Sequence, residues 1–417
     1  MKKREIVIVV LLIVFGVVYN AVEKGKIRFA GDFSRYFDRM RLVSDRYSEF
    51  PQSEKVFPAP GKITIANPAG EITIDKSLDN QVHLFSFFRV YFQNKEDAFS
   101  KKIAQNARVL TKVENNELTV SADCRPEFPF NRLRIRLQLL VPAGVELALD
   151  NREGIVSIRH CGKNIFLRQE NGNVVLEDIP SAVKLEITHG NLHAKNIAEN
   201  VTMSTRQSEI FLENAAAVRL QGRHADCQLK KIAGPVWIEH AYGRITLDGA
   251  GQAEIYGRHS QITARNIRDG LKLSNAFDNI FLEKIHGDVS VSGRSSKIEM
   301  RQVVAKNMMI ENSFADTAIA GFSGGTLNAL IKNGNFTLSS SAIAERLNVE
   351  SSYARIELAP GAWADPAFNL KTTHGRIYNQ STFSMELFQE KGESFANRSG
   401  QKPEVVINNV YGDIYLK

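Results

Sequence analysis

From Ile165 onward, apolar residues recur in pairs separated by one position, and the pairs themselves recur about every eighteen residues. Coils start at Ile165, Val183, Val201, Val218, Val236, Ala253, Leu271, Val289, Met308, Leu327, Leu347, Phe368 and Val405. Counting each start as zero, position two is also apolar, from Leu167 through Ile255 to Ile407. Position nine repeats the rule from Val174 through Ile262 to Ile414, and position eleven follows it from Leu176 to Leu416, with Asn379 as the exception. Two short strands with alternate side chains turned inward, joined by a tight corner, satisfy this spacing. One such coil cannot cover its own apolar side, so neighbours must stack. Twelve or thirteen coils at the strand spacing make a rod of roughly 60 Å. The pattern therefore predicts an all-β chain, a parallel β-solenoid of about 18-residue coils. An earlier stretch, Ile63, Ile65, Gly70, Ile72 and Ile74, obeys the same rule.

The corner has its own signature. Position seven is small or turn-prone, as in Gly172, Gly190, Ser208, Ala225, Gly243 and Ser260, which points to an unusual backbone conformation or a close approach there. Position twelve, expected to face out, alternates in sign through Glu177, Lys195, Glu213, Lys230, Asp248, Arg265, Glu283 and Arg301. Stacked in register, these charges attract, and a one-coil slip would set like against like. A rival account is a duplicated two-coil unit, because Gly222-Arg223-His224 recurs as Gly257-Arg258-His259 and Gly293-Arg294-Ser295.

Ahead of the repeat the pattern changes. Lys2, Lys3 and Arg4 precede an apolar run from Ile6 to Tyr19 with no small-x-small cleavage site after it. The expectation is an uncleaved signal-anchor, a transmembrane helix over residues 1–22, basic end cytoplasmic. The chain would then sit in the cytoplasmic (inner) membrane as a single pass, its bulk extracytoplasmic or periplasmic. Residues 23–56 follow as a juxtamembrane segment, where Phe33, Tyr36, Phe37, Met40, Val43, Tyr47 and Phe50 have the spacing of a short amphipathic helix ended by Pro51. Residues 57–144 read as a β-rich lead-in, with strands at Val82–Phe92, Leu118–Ala122 and Leu133–Val141 and one helix near Asp97–Ala107. Arg132, Arg134 and Arg136 give the last of these strands a basic face, which an ordinary solvated surface explains. The solenoid proper occupies 145–417, with an insertion at 383–404 that is expected to fold over the open end of the stack.

Composition narrows the function. With 53 Lys and Arg against 46 Asp and Glu, the chain is mildly basic, but the charges are scattered, which argues against nucleic acid. Three cysteines, Cys124, Cys161 and Cys227, form no disulfide framework, and no P-loop, Gly-x-Ser-x-Gly or HExxH is present. No catalytic, cofactor or metal residues are assigned. Asp226 and Asp248 come nearest to a carboxylate pair, yet they occupy different coil positions. Position six forms a surface stripe that includes His224, Tyr242, His259, Phe277 and Phe314, with Arg223, Arg258 and Arg294 one residue earlier. Rings packing coil on coil account for it without a ligand. The functional alternative is a ligand-binding stripe, rings towards sugars and guanidinium groups towards phosphate or carboxylate.

The N-terminal anchor, the Ile63–Ile74 pair, the strand-helix-strand lead-in, the Val141-Pro142-Ala143-Gly144-Val145 junction and the repeated Gly-x-Ile-x-Leu turns together resemble the "putative adhesin" or toast-rack family of bacterial envelope β-solenoids, a domain of unknown function. The resemblance implies a cell-envelope module for binding, adhesion or structural support, partnered by the membrane and by envelope glycans or other envelope proteins. Two other classes stay open: a polysaccharide-active β-helix enzyme, and a scaffold that assembles end to end.

Overall fold

The computed structural model describes residues 47–52, 54–91, 98–124 and 133–417. The expected transmembrane helix and most of the amphipathic helix lie outside them. The described chain is a parallel β-solenoid of about twelve turns with coils near eighteen residues. First strands lie in register, Ile165 on Val183 on Val201, and later Val218, Val236, Ala253, Leu271, Val289, Met308, Leu327 and Leu347. Second strands do the same, Ile262 on Ile280 on Ile298 on Thr317 on Phe336 on Ile356. The inward aliphatic residues form one continuous core; Leu167, Val174, Leu176, Ile238 and Ile262 are fully buried. Burying such a side chain stabilises by about 1.5–3 kcal/mol, so each coil gains several such contributions only once its neighbours are in place.

The unusual backbone falls one residue before the small corner position. Position six is left-handed in every coil from Val183 onward, as in His189 at φ 54°, Tyr242 at 62°, Phe277 at 68° and Tyr411 at 61°. A second left-handed site at position thirteen includes Asp178, Asn196, Asn214, Lys231, Asn266 and Lys284. This conformation costs an L-residue about 1–2 kcal/mol. Its backbone amide is satisfied by the next layer: His189 donates to the Arg206 carbonyl at 3.0 Å, and Phe277 to that of Arg294 at 2.8 Å. Position seven is small because of close approach. A Cβ on Gly172 would collide with the Gly154 carbonyl oxygen, and one on Gly190 with that of Gly172.

Position four is a ladder of buried polar groups that the apolar pattern hid. The Asn275 side-chain amide donates to the carbonyls of Ser260 at 2.9 Å and Phe277 at 2.7 Å, and Asn312 bonds those of Ser296 and Ala315, each at 3.0 Å. Asn409 and Gln169 serve their corners likewise. The glycines at this position, Gly222, Gly257 and Gly293, lie against His240, Asn275 and Asn312 of the following coils, where a Cβ would meet those side chains. The Gly-Arg recurrence thus has a packing cause: a bulky polar group in one coil calls for glycine in the coil beneath.

The alternating charges at position twelve do stack, with Glu177 on Lys195, Lys230 on Asp248, Asp248 on Arg265 and Glu283 on Arg301. Arg265 and Glu283 close to 3.0 Å. Lys195 and Lys230 lean on the Phe211 ring instead, and Arg301 lies over Phe281 while pairing with Glu299 at 2.7 Å.

Both ends depart from sequence order. Lys62–Asn67 and Ile72–Lys76 lie between the layer of Glu146–Arg159 and an outer layer made by Glu117–Cys124 and Leu133–Val141. At the far end, Glu404–Val410 runs between Phe336–Ser352 and Ala367–Thr373, while Ile414–Leu416 runs between Ile356–Pro360 and Ile377–Asn379. The last coil in sequence is therefore an interior layer, and the outermost coil is the one at Phe368. Its first strand is covered by Glu393–Arg398, which pairs antiparallel with it and with Glu386–Glu390. The insertion blunts an edge as expected, but that of the preceding coil.

One expectation is corrected at the near end. Tyr47–Pro51, read as the last turn of the amphipathic helix, is an edge strand antiparallel to Gln81–Tyr91. Glu49 explains the preference: in a strand its carboxylate reaches Arg89 at 2.6 Å and Arg136 at 2.7 Å. The arginine face of Leu133–Val141 is thereby engaged, with Arg134 on Glu153 at 2.8 Å; Arg132 is outside the described residues.

Because residues 404–416 fill an interior layer, Ile407→Ala should lower stability by about 2–5 kcal/mol, as for any fully buried isoleucine. Leu387→Ala, on the exposed hairpin, should stay within about 0.5 kcal/mol. Urea unfolding of both variants checks this; equal small losses would contradict the interior placement.

Candidate functional site

Positions five and six run side by side along one corner of the rod. The repeated left-handed backbone at position six aims successive rings the same way. His224 stacks on Tyr242 at 4.9 Å, Tyr242 on His259 at 5.0 Å and His259 on Phe277 at 4.5 Å, with interplanar angles of 9°, 5° and 7°. Tyr242 and His259 therefore have both ring faces covered and offer only their edges. Phe314 stands apart, 60% exposed, with Ser295 and Asn333 at the equivalent positions of adjacent coils. A second stack joins Tyr353, Tyr411 and His374 at 4.8 and 4.7 Å; only the exchanged order of the last coils brings Tyr411 between the other two.

At position five the register reads Arg206, Arg223, Ala241, Arg258, Ala276, Arg294, Ser313, Lys332 and Ser352. Beside it an open groove of about 800 Å³ is lined by Arg206, Arg223, Arg258, Glu239, His240 and Tyr256, among others. A smaller groove of about 590 Å³ on the second-strand face holds His193 stacked on Phe211 at 4.8 Å. The sequence reading missed this pair, although both rings occupy position ten of consecutive coils.

His240 is the one histidine buried at position four. Its Nδ1 accepts from the Ser260 hydroxyl at 2.9 Å and its Nε2–H donates to the Ala225 carbonyl at 2.9 Å. Burial, the largest influence, holds its pKa below the usual histidine value. The groups that a catalytic reading would use are otherwise occupied. Asp226 accepts from the Arg244 backbone amide at 3.0 Å, and Asp248 accepts from the Asn266 side chain at 2.6 Å. Burial pushes the thiols of Cys161 and Cys227 up to about 12, leaving them protonated and unreactive. Among the described residues no three His, Cys, Asp or Glu side chains are grouped to hold a metal ion.

Residues 250–417 match the family model Toastrack DUF4097. The coil pattern continues unbroken on its N-terminal side, back to Ile165. No curated protein matches the chain. Among solved structures, a "putative cell adhesion protein" from Clostridium sporogenes is 10% identical, over 88% of this chain and 99% of that one, with a TM-score of 0.16. A "putative adhesin" from Bacteroides fragilis is also 10% identical, over 90% and 99%, with a TM-score of 0.19. Overlaps this slight in three dimensions carry no weight for fold or role.

A depressed folded-state pKa at His240 means that protonation favours the unfolded chain. Its contribution is present at neutral pH and lost as pH falls below about 6.5, the unfolded value. The thermal midpoint should drop in that window, and His240→Asn, the residue found at the same position in Asn275 and Asn312, should flatten the drop. An unchanged acid limb in the variant would show that His240 does not set it.

Proposed function

We propose that this chain is a membrane-anchored cell-envelope module whose rod binds or adheres through its surface and carries out no reaction. The observation that carries the reading is the corner itself. From Arg206 to Ser352, consecutive coils present side chains of positions five and six in unbroken register, towards solvent and along the rod axis. A surface that repeats in one direction suits an extended partner, such as a glycan chain or another envelope protein, better than a small substrate. The basic-then-apolar N-terminus supports the anchor, and with it an envelope setting. End-to-end polymerisation is the less favoured reading, because the hairpin at Glu386–Arg398 covers one strand of the outermost coil.

A glycan and lipid-headgroup screen of the full chain tests the proposal. Asparagine already occupies the left-handed corner at Asn333, so Tyr242→Asn, His259→Asn and Phe277→Asn should keep the fold. Combined, they should abolish any binding detected. A folded chain that binds nothing would return the rod to pure scaffolding. Membrane fractionation tests the anchor: deletion of residues 1–22 should release the chain from the membrane fraction, and retention there would refute it.

A further inference from the structure

We infer that the corner ladder is a docking track for a linear acidic polysaccharide that lies along the rod and carries one negative group per two coils. This rests on the surface-binding reading above and names its ligand class. From Arg223 to Ser352 the ladder alternates strictly between a cation and a small residue: Arg223, Ala241, Arg258, Ala276, Arg294, Ser313, Lys332, Ser352. Arg206, in the coil before Arg223, adds a cation outside this alternation.

These five cations are exposed, and among the described residues none joins an ion pair. Several cations elsewhere on the coils are engaged. Arg168 is paired with Glu186 and Arg265 with Glu283, while Arg219 lies over Trp237 and Lys272 over Tyr256. Two of the nearby acids are engaged elsewhere, Glu239 by the Gln221 amide and Asp226 by the Arg244 backbone. Small residues between the cations leave gaps in which a chain can settle against the backbone.

The interval decides the partner. Two strand spacings are roughly 10 Å. A nucleic-acid strand places a phosphate about every 3.4 Å, so most of its charges would face no cation here. Sugar rings are longer spacers, and a polymer with one carboxylate per disaccharide thins its charge in the required sense. The adjacent rings fit the same partner. Their faces are closed by stacking, but the Tyr242 hydroxyl and the imidazole edges of His224 and His259 remain available to hydroxyl groups.

The test uses the full chain and hyaluronate, which has one carboxylate per disaccharide, with neutral dextran and a single-stranded DNA oligomer as comparators. Hyaluronate should bind, more weakly as salt rises. Each of Arg223→Gln, Arg258→Gln and Arg294→Gln should weaken binding about two- to fivefold, and the triple variant by more than about tenfold. Lys284→Gln, at the opposite corner, should change nothing. All four side chains are exposed, so far-UV circular dichroism and thermal midpoints should match the parent. Tighter binding to the DNA, or a triple variant that holds hyaluronate as well as the parent, would overturn the inference. Binding to dextran that ignores the arginines would overturn it too, while leaving the surface-binding reading intact. Absence of binding to every probe would count against both.

Discussion

Backbone hydrogen bonds that pass from each coil to the next are the interaction on which the rod depends. A coil of this kind has almost no internal hydrogen bonding. Its strands bond above and below, and even its corner amides donate to the neighbouring layer, as His189 does to Arg206. The left-handed residues at both corners are tolerated because that bonding holds them. The same constraint governs side chains. Since each residue sits over its counterpart, a bulky group such as His240 calls for glycine at Gly222 below, and one ring calls for a flat neighbour at the next corner. Packing choices are therefore made in columns along the rod rather than residue by residue.

Columns also explain the surface. Many outward cations find a carboxylate in the next coil, as Arg265 finds Glu283, or lie on an aromatic ring, as Arg219 lies on Trp237. Exposed pairs of either kind contribute little energy, but a column of them fixes how neighbouring coils are matched. The position-five column, whose five cations do neither and lie in line along the rod, is surface with an unfilled capacity to bind anions.

The coil and its register were legible in the sequence because aliphatic residues at positions zero, two, nine and eleven carry a period that only a stacked coil satisfies. The corner rings were legible for the same reason, as a column at position six. Three things were not. Polar residues at position four read as exceptions, since nothing local shows that Asn275 or Asn312 would satisfy corner carbonyls of an adjacent layer. Closure of the ring faces depends on side-chain rotamers, which the period does not encode. The order of layers at the two ends was hidden because the coil at Phe368 and the coil at Val405 have the same pattern and fit either slot. Tyr47–Phe50 shows the opposite failure: helical spacing was present, and Arg89 and Arg136, distant in sequence, drew Glu49 into a strand instead.

The exchanged layers at the far end bear on how the molecule is made. Residues 404–416 follow the coil at Phe368 in the chain, yet they belong beneath it. That coil and its hairpin cannot settle on the stack until residues 404–416 have slid into place below them. The tip therefore closes late: every other coil can stack as it leaves the ribosome, whereas the coil at Phe368 has to wait for residues that come after it.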